Sequence, residues 1–172
     1  MRTMTTEIRR ATPADSGLLT EIAHAAKRHW GYPERWIILW REALTITPGF
    51  VSANEVYVVT QGDDTVGFYA LLFNAGRAVL EHMWVHPESI GAGIGRRLFD
   101  HAARTASSLG AVEMEIESDP NAEGFYLRMG ARRTGEVVSM MEGETRTLPL
   151  LVFDVVSCEP PRSAIEESGA SS

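Results

Sequence analysis

Apolar residues recur along this chain with two periods, and the points where the period changes delimit the elements. Leu18, Leu19, Ile22, Ala23, Ala26 and Trp30 fall three and four apart, the spacing of one helical face. Thr12, Pro13 and Asp15 precede that stripe as a start signal: a capping hydroxyl, a proline in the first turn and a carboxylate at the positive helix end. Gly31-Tyr32-Pro33 breaks the stripe. A second helical stretch is expected from about Pro33, carrying Trp36, Ile37, Trp40, Ala43 and Leu44, and ending at Pro48-Gly49. Ahead of both, Glu7 to Arg10 reads as a short first strand.

From Val56 the period shortens. Val56 to Val59, Val66 to Phe73 and Ala78 to Val85 read as strands, separated by turns at Gly62-Asp63-Asp64 and Asn74-Ala75-Gly76. Connections this short join antiparallel neighbours, so the three form a meander. Ile94, Leu98, Ala102, Ala106 and Leu109 then mark a helix closed by Gly110. Val112, Met114 and Ile116 alternate with Glu113, Glu115 and Glu117 as a half-buried strand. Asp119-Pro120 is expected to cap a helix with Phe125, Tyr126 and Met129 that ends at Gly130. Val137-Val138 and Leu148 to Val156 supply the last strands.

Composition narrows the class. The 172 residues are 44% hydrophobic and 23% charged, ordinary values for one globular domain. That domain is expected over residues 4–156, with a loose Pro-, Ser- and Glu-rich tail over 157–172. Sixteen Lys+Arg against 23 Asp+Glu argue against a nucleic-acid surface and are compatible with a cationic acceptor. Cys158, the one cysteine, excludes an intramolecular disulfide and a multi-cysteine metal site. No apolar run approaches the roughly 20 residues of a membrane span. Arg2, Arg9 and Arg10 are followed by no signal-like apolar region, so a cytoplasmic location is the expectation. Met1 to Thr3 reads equally as a start-site extension.

The chemically informative stretch runs from Val85 through Pro87 to Gly91-Ala92-Gly93-Ile94-Gly95-Arg96-Arg97-Leu98: a strand, three alternate glycines, then a helix. Glycine lets backbone approach a ligand without a Cβ, and the free N–H groups and dipole of a helix start favour a phosphate. Arg96 and Arg97 add charge beside that end. A P-loop would place Lys-Ser/Thr after the last glycine, where Arg96-Arg97 stands. A dinucleotide fold finds acids at a suitable distance in Glu113 to Glu117. It is opposed by Arg96 at the third glycine position and by the antiparallel meander.

Val85-x-Pro87, Gly91-x-Gly93-x-Gly95 and Leu98 resemble the acyl-CoA pyrophosphate motif of the GNAT N-acetyltransferase superfamily. Asn121-Ala122, Phe125-Tyr126 and Met129-Gly130-Ala131 resemble its second motif. Both stand in order, about 30 residues apart, and the order of elements matches from Glu7 to Val156. The resemblance implies an α/β domain of the α+β type: a single mixed, mostly antiparallel sheet flanked by helices, with a strand–glycine loop–helix site for acetyl-CoA. It places the cofactor against Met83, Trp84, Val85, Ile90, Gly91, Ala92, Gly93, Ile94, Gly95, Arg96, Arg97, Asn121 and Tyr126. Ile90 departs from the family, which usually has Arg or Gln there.

Acyl transfer to an amine needs a neutral nucleophile, a stabilised oxyanion and a proton for the thiolate. Glu81, which by period two shares a face with Met83 and Val85, resembles the family's strand carboxylate, the general base. Tyr126 resembles its thiolate-protonating tyrosine, and the backbone N–H groups near Met83 to Val85 its oxyanion donor. His82 is expected on the opposite face unless a bulge turns it inward. His82 and His86, four apart on a strand, stand about 13 Å from each other, so no metal is expected. His29, Trp30, Tyr32 and Trp36, with Trp40, form an aromatic patch in the region that walls the family's acceptor site. His29, Trp30, Tyr32, Trp36, Glu81 and His82 are therefore the candidate acceptor contacts. The expected acceptor is a small-molecule amine, with protein N-terminal or lysine acetylation and a non-catalytic acyl-CoA sensor as alternatives. The resemblance also allows a homodimer.

Overall fold

The structure, a computed structural model, describes residues 4–156; the expected extension at 1–3 and tail at 157–172 lie outside the described residues. Seven strands form one sheet: β1 (Thr6–Arg10), β2 (Glu55–Gln61), β3 (Asp64–Asn74), β4 (Arg77–Val85), β5 (Glu113–Glu117), β6 (Arg132–Met141) and β7 (Glu144–Asp154). Their order is β1-β2-β3-β4-β5-β7-β6, and every pairing is antiparallel except β4 with β5. Among the described residues there are also five α-helices: α1 (Ser16–His29), α2 (Glu34–Leu39), α3 (Pro48–Ala53), α4 (Ile94–Ser108) and α5 (Glu123–Arg128).

Alternation along the strands sorts apolar residues onto two faces. Val58, Phe68 and Ala70 pack with Leu19, Ile22 and Ala23 of α1 and Val51 of α3. Val59, Tyr69 and Leu71 pack on the other face with Leu98, Phe99 and Ala102 of α4. Each α/β face is thus covered, as a sheet with two apolar sides requires.

Three boundaries differ from the sequence reading. Pro48 opens a helix instead of closing one: the Thr47 hydroxyl caps α3 by accepting from the Phe50 N–H, and Pro48 takes the first-turn position that suits it. The stretch from Pro33 is correspondingly shorter, α2 ending at Leu39. The last two strands are longer than their apolar runs, because the strands of an antiparallel hairpin need only one covered face and tolerate exposed polar positions. Asp119 does not cap α5, which starts four residues later with Ala122 as N-cap.

Two irregularities position the site. The register between β3 and β4 shifts between Ala70–His82 and Leu71–Leu80, which leaves Glu81 as the extra residue of a bulge. Period two is therefore interrupted: Leu80 and Met83, of opposite parity, belong to the same α4-facing cluster. The expectation that Glu81 simply alternates with Met83 and Val85 is corrected by this bulge. Beside it, β4 and β5 pair only at Ala78–Met114 and Val79–Glu115, then part. The rest of β4 leaves a wedge in the sheet.

Candidate active site

A groove of about 540 Å³ fills that wedge. It runs from the loop before α4, past the parted tips of β4 and β5, to the end of α1. Its walls include Met83, Trp84, Val85, Ile90, Gly91, Gly93, Ile94, Gly95, Arg96, Asn121 and Tyr126, together with Glu81 and, from the end of α1, His29 and Trp30. Of the residues singled out from the sequence, Ala92, Arg97, Tyr32, Trp36 and His82 stand outside that lining. The Arg97 guanidinium turns away to donate to the Thr6 carbonyl at 3.2 Å.

The loop has the shape an anion requires. Gly91 (φ 89°) and Gly93 (φ 76°) are left-handed, a conformation L side chains rarely adopt; a Cβ on either would meet nothing, so the need is for φ and not for space. Gly93 is the N-cap of α4, and no side chain caps the first-turn N–H groups. Gly95 serves packing: a Cβ there would lie 3.3 Å from the Phe125 ring. Among the described residues neither Arg96 nor Arg128, both on the groove wall, forms an ion pair. This end is a positive cradle with donors to spare, and it fits a pyrophosphate.

Tyr126 is only 7% exposed, and its hydroxyl has no hydrogen-bond partner among the described residues. Burial, with Asp119 adding to it, pushes the phenol well above its ordinary pKa. It is a neutral, proton-bearing group throughout the working range. Glu81 is exposed on its bulge and unpaired. His82 lies against Phe50 and Phe68, on the face away from the groove, and accepts from Trp84 Nε1 at 3.1 Å. Burial pushes its pKa down to about 4, so its ring is neutral. The bulge turns Glu81, and not His82, toward the opening.

The sequence reading missed a buried polar cluster behind the α1 end of the groove. Lys27, the chain's one lysine against fifteen arginines, places Nζ 2.6 Å from Asp119 Oδ2. Arg146 of β7 reaches the same oxygen at 3.1 Å, and the Tyr32 hydroxyl lies 2.9 Å from Oδ1. The Lys27 ammonium stands over the Trp40 and Tyr32 rings at 4.2 and 4.8 Å, and the Arg146 guanidinium over the same two. Burial works against the Asp119 carboxylate, but Lys27 and the hydrogen bonds outweigh it and hold its pKa below the ordinary value. Burial, aided by Arg146 and opposed by Asp119, pulls the Lys27 pKa down. A lone lysine on the inward face of a helix, four residues beyond buried Ala23 and next to buried Ala26, was the signal available.

This cluster explains Tyr32, Trp36 and Asn121. Tyr32 is committed to Asp119, and Trp36 stacks on Tyr32 while its Nε1 donates to Glu142 at 3.2 Å. Asn121 Nδ2 donates to the Tyr32 hydroxyl and to Asp119 Oδ1, and its N–H closes a turn onto Asp119 at 2.9 Å. The cluster ties α1, the turn before α2, β7 and the loop that leads into Tyr126. A second hollow, of about 410 Å³, lies at the opposite end of β4 and β5 around Arg77, Glu115 and Glu113, whose charges are paired within the chain. It holds none of these groups. No helix of the described residues is long and apolar enough to cross a membrane.

Known proteins share this fold. The family described as acetyltransferase (GNAT) domain matches residues 41–142. Peptidyl-lysine N-acetyltransferase YjaB of Salmonella typhimurium is 28% identical over 135 residues, 69% of this chain and 88% of that protein. A GCN5-related N-acetyltransferase from Rhodopseudomonas palustris superposes with a TM-score of 0.75 at 21% identity, over 90% of this chain and 98% of that one. The PaiA N-acetyltransferase of Thermoplasma acidophilum, solved with coenzyme A, gives 0.70 at 21%, over 88% and 99%. The anion-ready glycine loop, the opened sheet and the family match agree: the chain belongs to the GNAT family and is an acetyl-CoA-dependent N-acetyltransferase.

Proposed function

We propose that Glu81 and Tyr126 carry the chemistry of transfer to the amine of a small molecule, by direct attack in a ternary complex. The observation that carries this reading is the convergence of three features on one groove: an open helix start, an unpaired carboxylate and a buried, unpartnered phenol. The first-turn N–H groups of α4, with Gly91, Gly93 and Arg96, would hold the pyrophosphate, and acetyl-CoA supplies an acetyl group on a thiol leaving group. Glu81 takes a proton from the acceptor ammonium, directly or through one water. The freed nitrogen pair forms the C–N bond as the C–S bond breaks. Backbone N–H groups of Met83 to Val85, on the unpaired part of β4, face the charge that develops on oxygen. Tyr126 gives its proton to the sulfur, the proton held by Glu81 returns to the phenol through solvent, and the excess proton on the new amide nitrogen leaves to water.

The small-molecule acceptor is supported by the acceptor end itself. Glu142, at the tip of the β6–β7 hairpin, binds Arg35 at 2.5 Å and Trp36 at 3.2 Å, so the hairpin and α2 are tied together beside it. A peptide lysine is the second reading, favoured by the activity named for YjaB. Release of CoA thiol with panels of small amines and of lysine peptides separates the two. Glu81→Gln and Tyr126→Phe should each lower kcat by about 10²–10⁴-fold, the span of general acid–base groups, with little change in acetyl-CoA KM. Full activity in both variants would refute the assignment.

A further inference from the structure

The groove contains a carboxylate that the mechanism does not use. Glu117 ends β5, is exposed, and lines the same cavity as Glu81. The parallel register Ala78–Met114 and Val79–Glu115, continued two residues, would set Glu81 directly beside Glu117. Two like charges side by side on neighbouring strands oppose pairing. The strands part before they reach that point, so the two carboxylates face a common opening.

Neither acid is neutralised within the chain. Among the described residues Glu81 and Glu117 form no ion pair and no side-chain hydrogen bond. Asp119, the third acid of the groove, differs: it is saturated by Lys27 and Arg146. The other end carries Arg96 and Arg128, so the groove is positive where phosphate is expected and negative where the acceptor enters. Two independent features mark this negative end as a binding place. Tyr126, more than nine-tenths buried, brings an unpartnered hydroxyl to the same cavity. Trp30, 40% exposed, adds an aromatic ring at its mouth, a surface that attracts cations.

One base needs one carboxylate. A second, held unpaired against it at a cost in sheet stability, fits a second positive charge on the acceptor. Resting on the assignment of Glu81 as base, we propose that Glu117 binds a second cationic nitrogen of the acceptor, so that the preferred substrate class is the dicationic amine. The reacting nitrogen goes to Glu81 and loses its proton; the other stays protonated against Glu117. A second nitrogen a few carbons away on an alkyl diamine, or a basic residue beside a peptide lysine, presents the same chemistry.

The test is a selectivity ratio. CoA release is measured with 1,4-diaminobutane and with butylamine, and with lysine peptides that have or lack an adjacent arginine. Wild-type enzyme should favour the dication of a pair at least tenfold in kcat/KM, and Glu117→Gln should reduce that ratio at least tenfold, through KM. Glu117→Asp should restore part of it. Glu113→Gln, at the far end of β5 and outside the groove, should leave it at the wild-type value. Preference within the small amines upholds both the inference and the small-molecule reading. A Glu117-dependent preference found only among peptides upholds the inference and overturns the small-molecule reading. Equal use of mono- and dications, or a ratio indifferent to Glu117→Gln, overturns the inference while turnover of butylamine leaves the acetyltransfer reading standing.

Discussion

Asp119→Asn is the substitution whose cost the structure defines best. The carboxylate accepts from Lys27 at 2.6 Å and Arg146 at 3.1 Å, and the three side chains are 8%, 9% and 12% exposed for Asp119, Lys27 and Arg146. Asparagine keeps the shape but removes the only anion among two cations in a low-dielectric setting. Breaking a buried pair in this way costs about 3–5 kcal/mol, because the remaining charge is left uncompensated. Lys27→Met is milder: Asp119 keeps Arg146 and Tyr32, and one of two mutually repelling cations is gone. A cost of about 1–2 kcal/mol is expected, within the range for losing one charged hydrogen bond. The double variant should cost less than the sum of the two by about 0.5–3 kcal/mol, as residues sharing one network do. Urea unfolding measures this; with a slope of about 2 kcal/mol per molar, Asp119→Asn should lower the midpoint by roughly 2 M. The sign with pH is fixed as well. The folded Asp119 pKa lies below the unfolded one, so its contribution is fully present above about pH 4 and is lost as pH falls through the folded value. The gap between wild type and Asp119→Asn should therefore stay constant from pH 5 to 8 and close only in stronger acid. A cost under 1 kcal/mol, or strict additivity in the double variant, would refute the reasoning.

Three further outcomes follow from particular contacts. Gly93→Ala forces a side chain into a left-handed N-cap with no steric neighbour, so about 1–2 kcal/mol of stability should be lost, and calorimetry should show weaker CoA binding. In Gly67→Ala the new Cβ would lie 2.9 Å from the Trp84 carbonyl oxygen, which is backbone and cannot turn away. A loss of about 1–3 kcal/mol in thermal unfolding and a raised acetyl-CoA KM are expected, since the displaced strand is the groove wall. His82, its pKa pushed down to about 4 by burial, should stay neutral in an NMR titration to pH 5. Stability should decline as pH falls from about 6.5 toward 4, because the unfolded chain takes up a proton that the folded site refuses.

The sheet, α1, α4 and the glycine loop were legible because each rests on a local signal: period, a proline-opened start, glycines at alternate positions. Helix α3 was not, since Pro48-Gly49 carries the same punctuation whether a helix ends there or begins; the capping bond from Phe50 to Thr47 decides it. The polar cluster was illegible for a different reason. Lys27 and Arg146, with Tyr32 and Asp119 between them, stand 119 positions apart in sequence, and only the crossing of α1 over β4 and the return of β7 bring the four together. Asn121 illustrates the consequence: motif spacing points to a cofactor contact, whereas its amide N–H groups are occupied by Tyr32 and Asp119 and only its carbonyl is left for a ligand.

The groove lies where the sheet fails to close, and the bulge at Glu81 sits at that point. Were Glu81 an ordinary ladder residue and not a bulge, uninterrupted period two would put Leu80, His82 and Trp84 on one face. Met83 would then leave the cluster under α4. The bulge instead keeps Leu80 and Met83 packed on α4 and frees Glu81 from the ladder, two residues past the last β4–β5 pair. Past Val79, the β5-facing backbone of β4 has no strand partner, and unpaired backbone donors and acceptors in a recess are stable only when a ligand or water meets them. The pantetheine arm of CoA carries two amides, which suits such an edge. The recess and the two exposed carboxylates that line it, Glu81 and Glu117, thus lie where the strand register carries one extra residue.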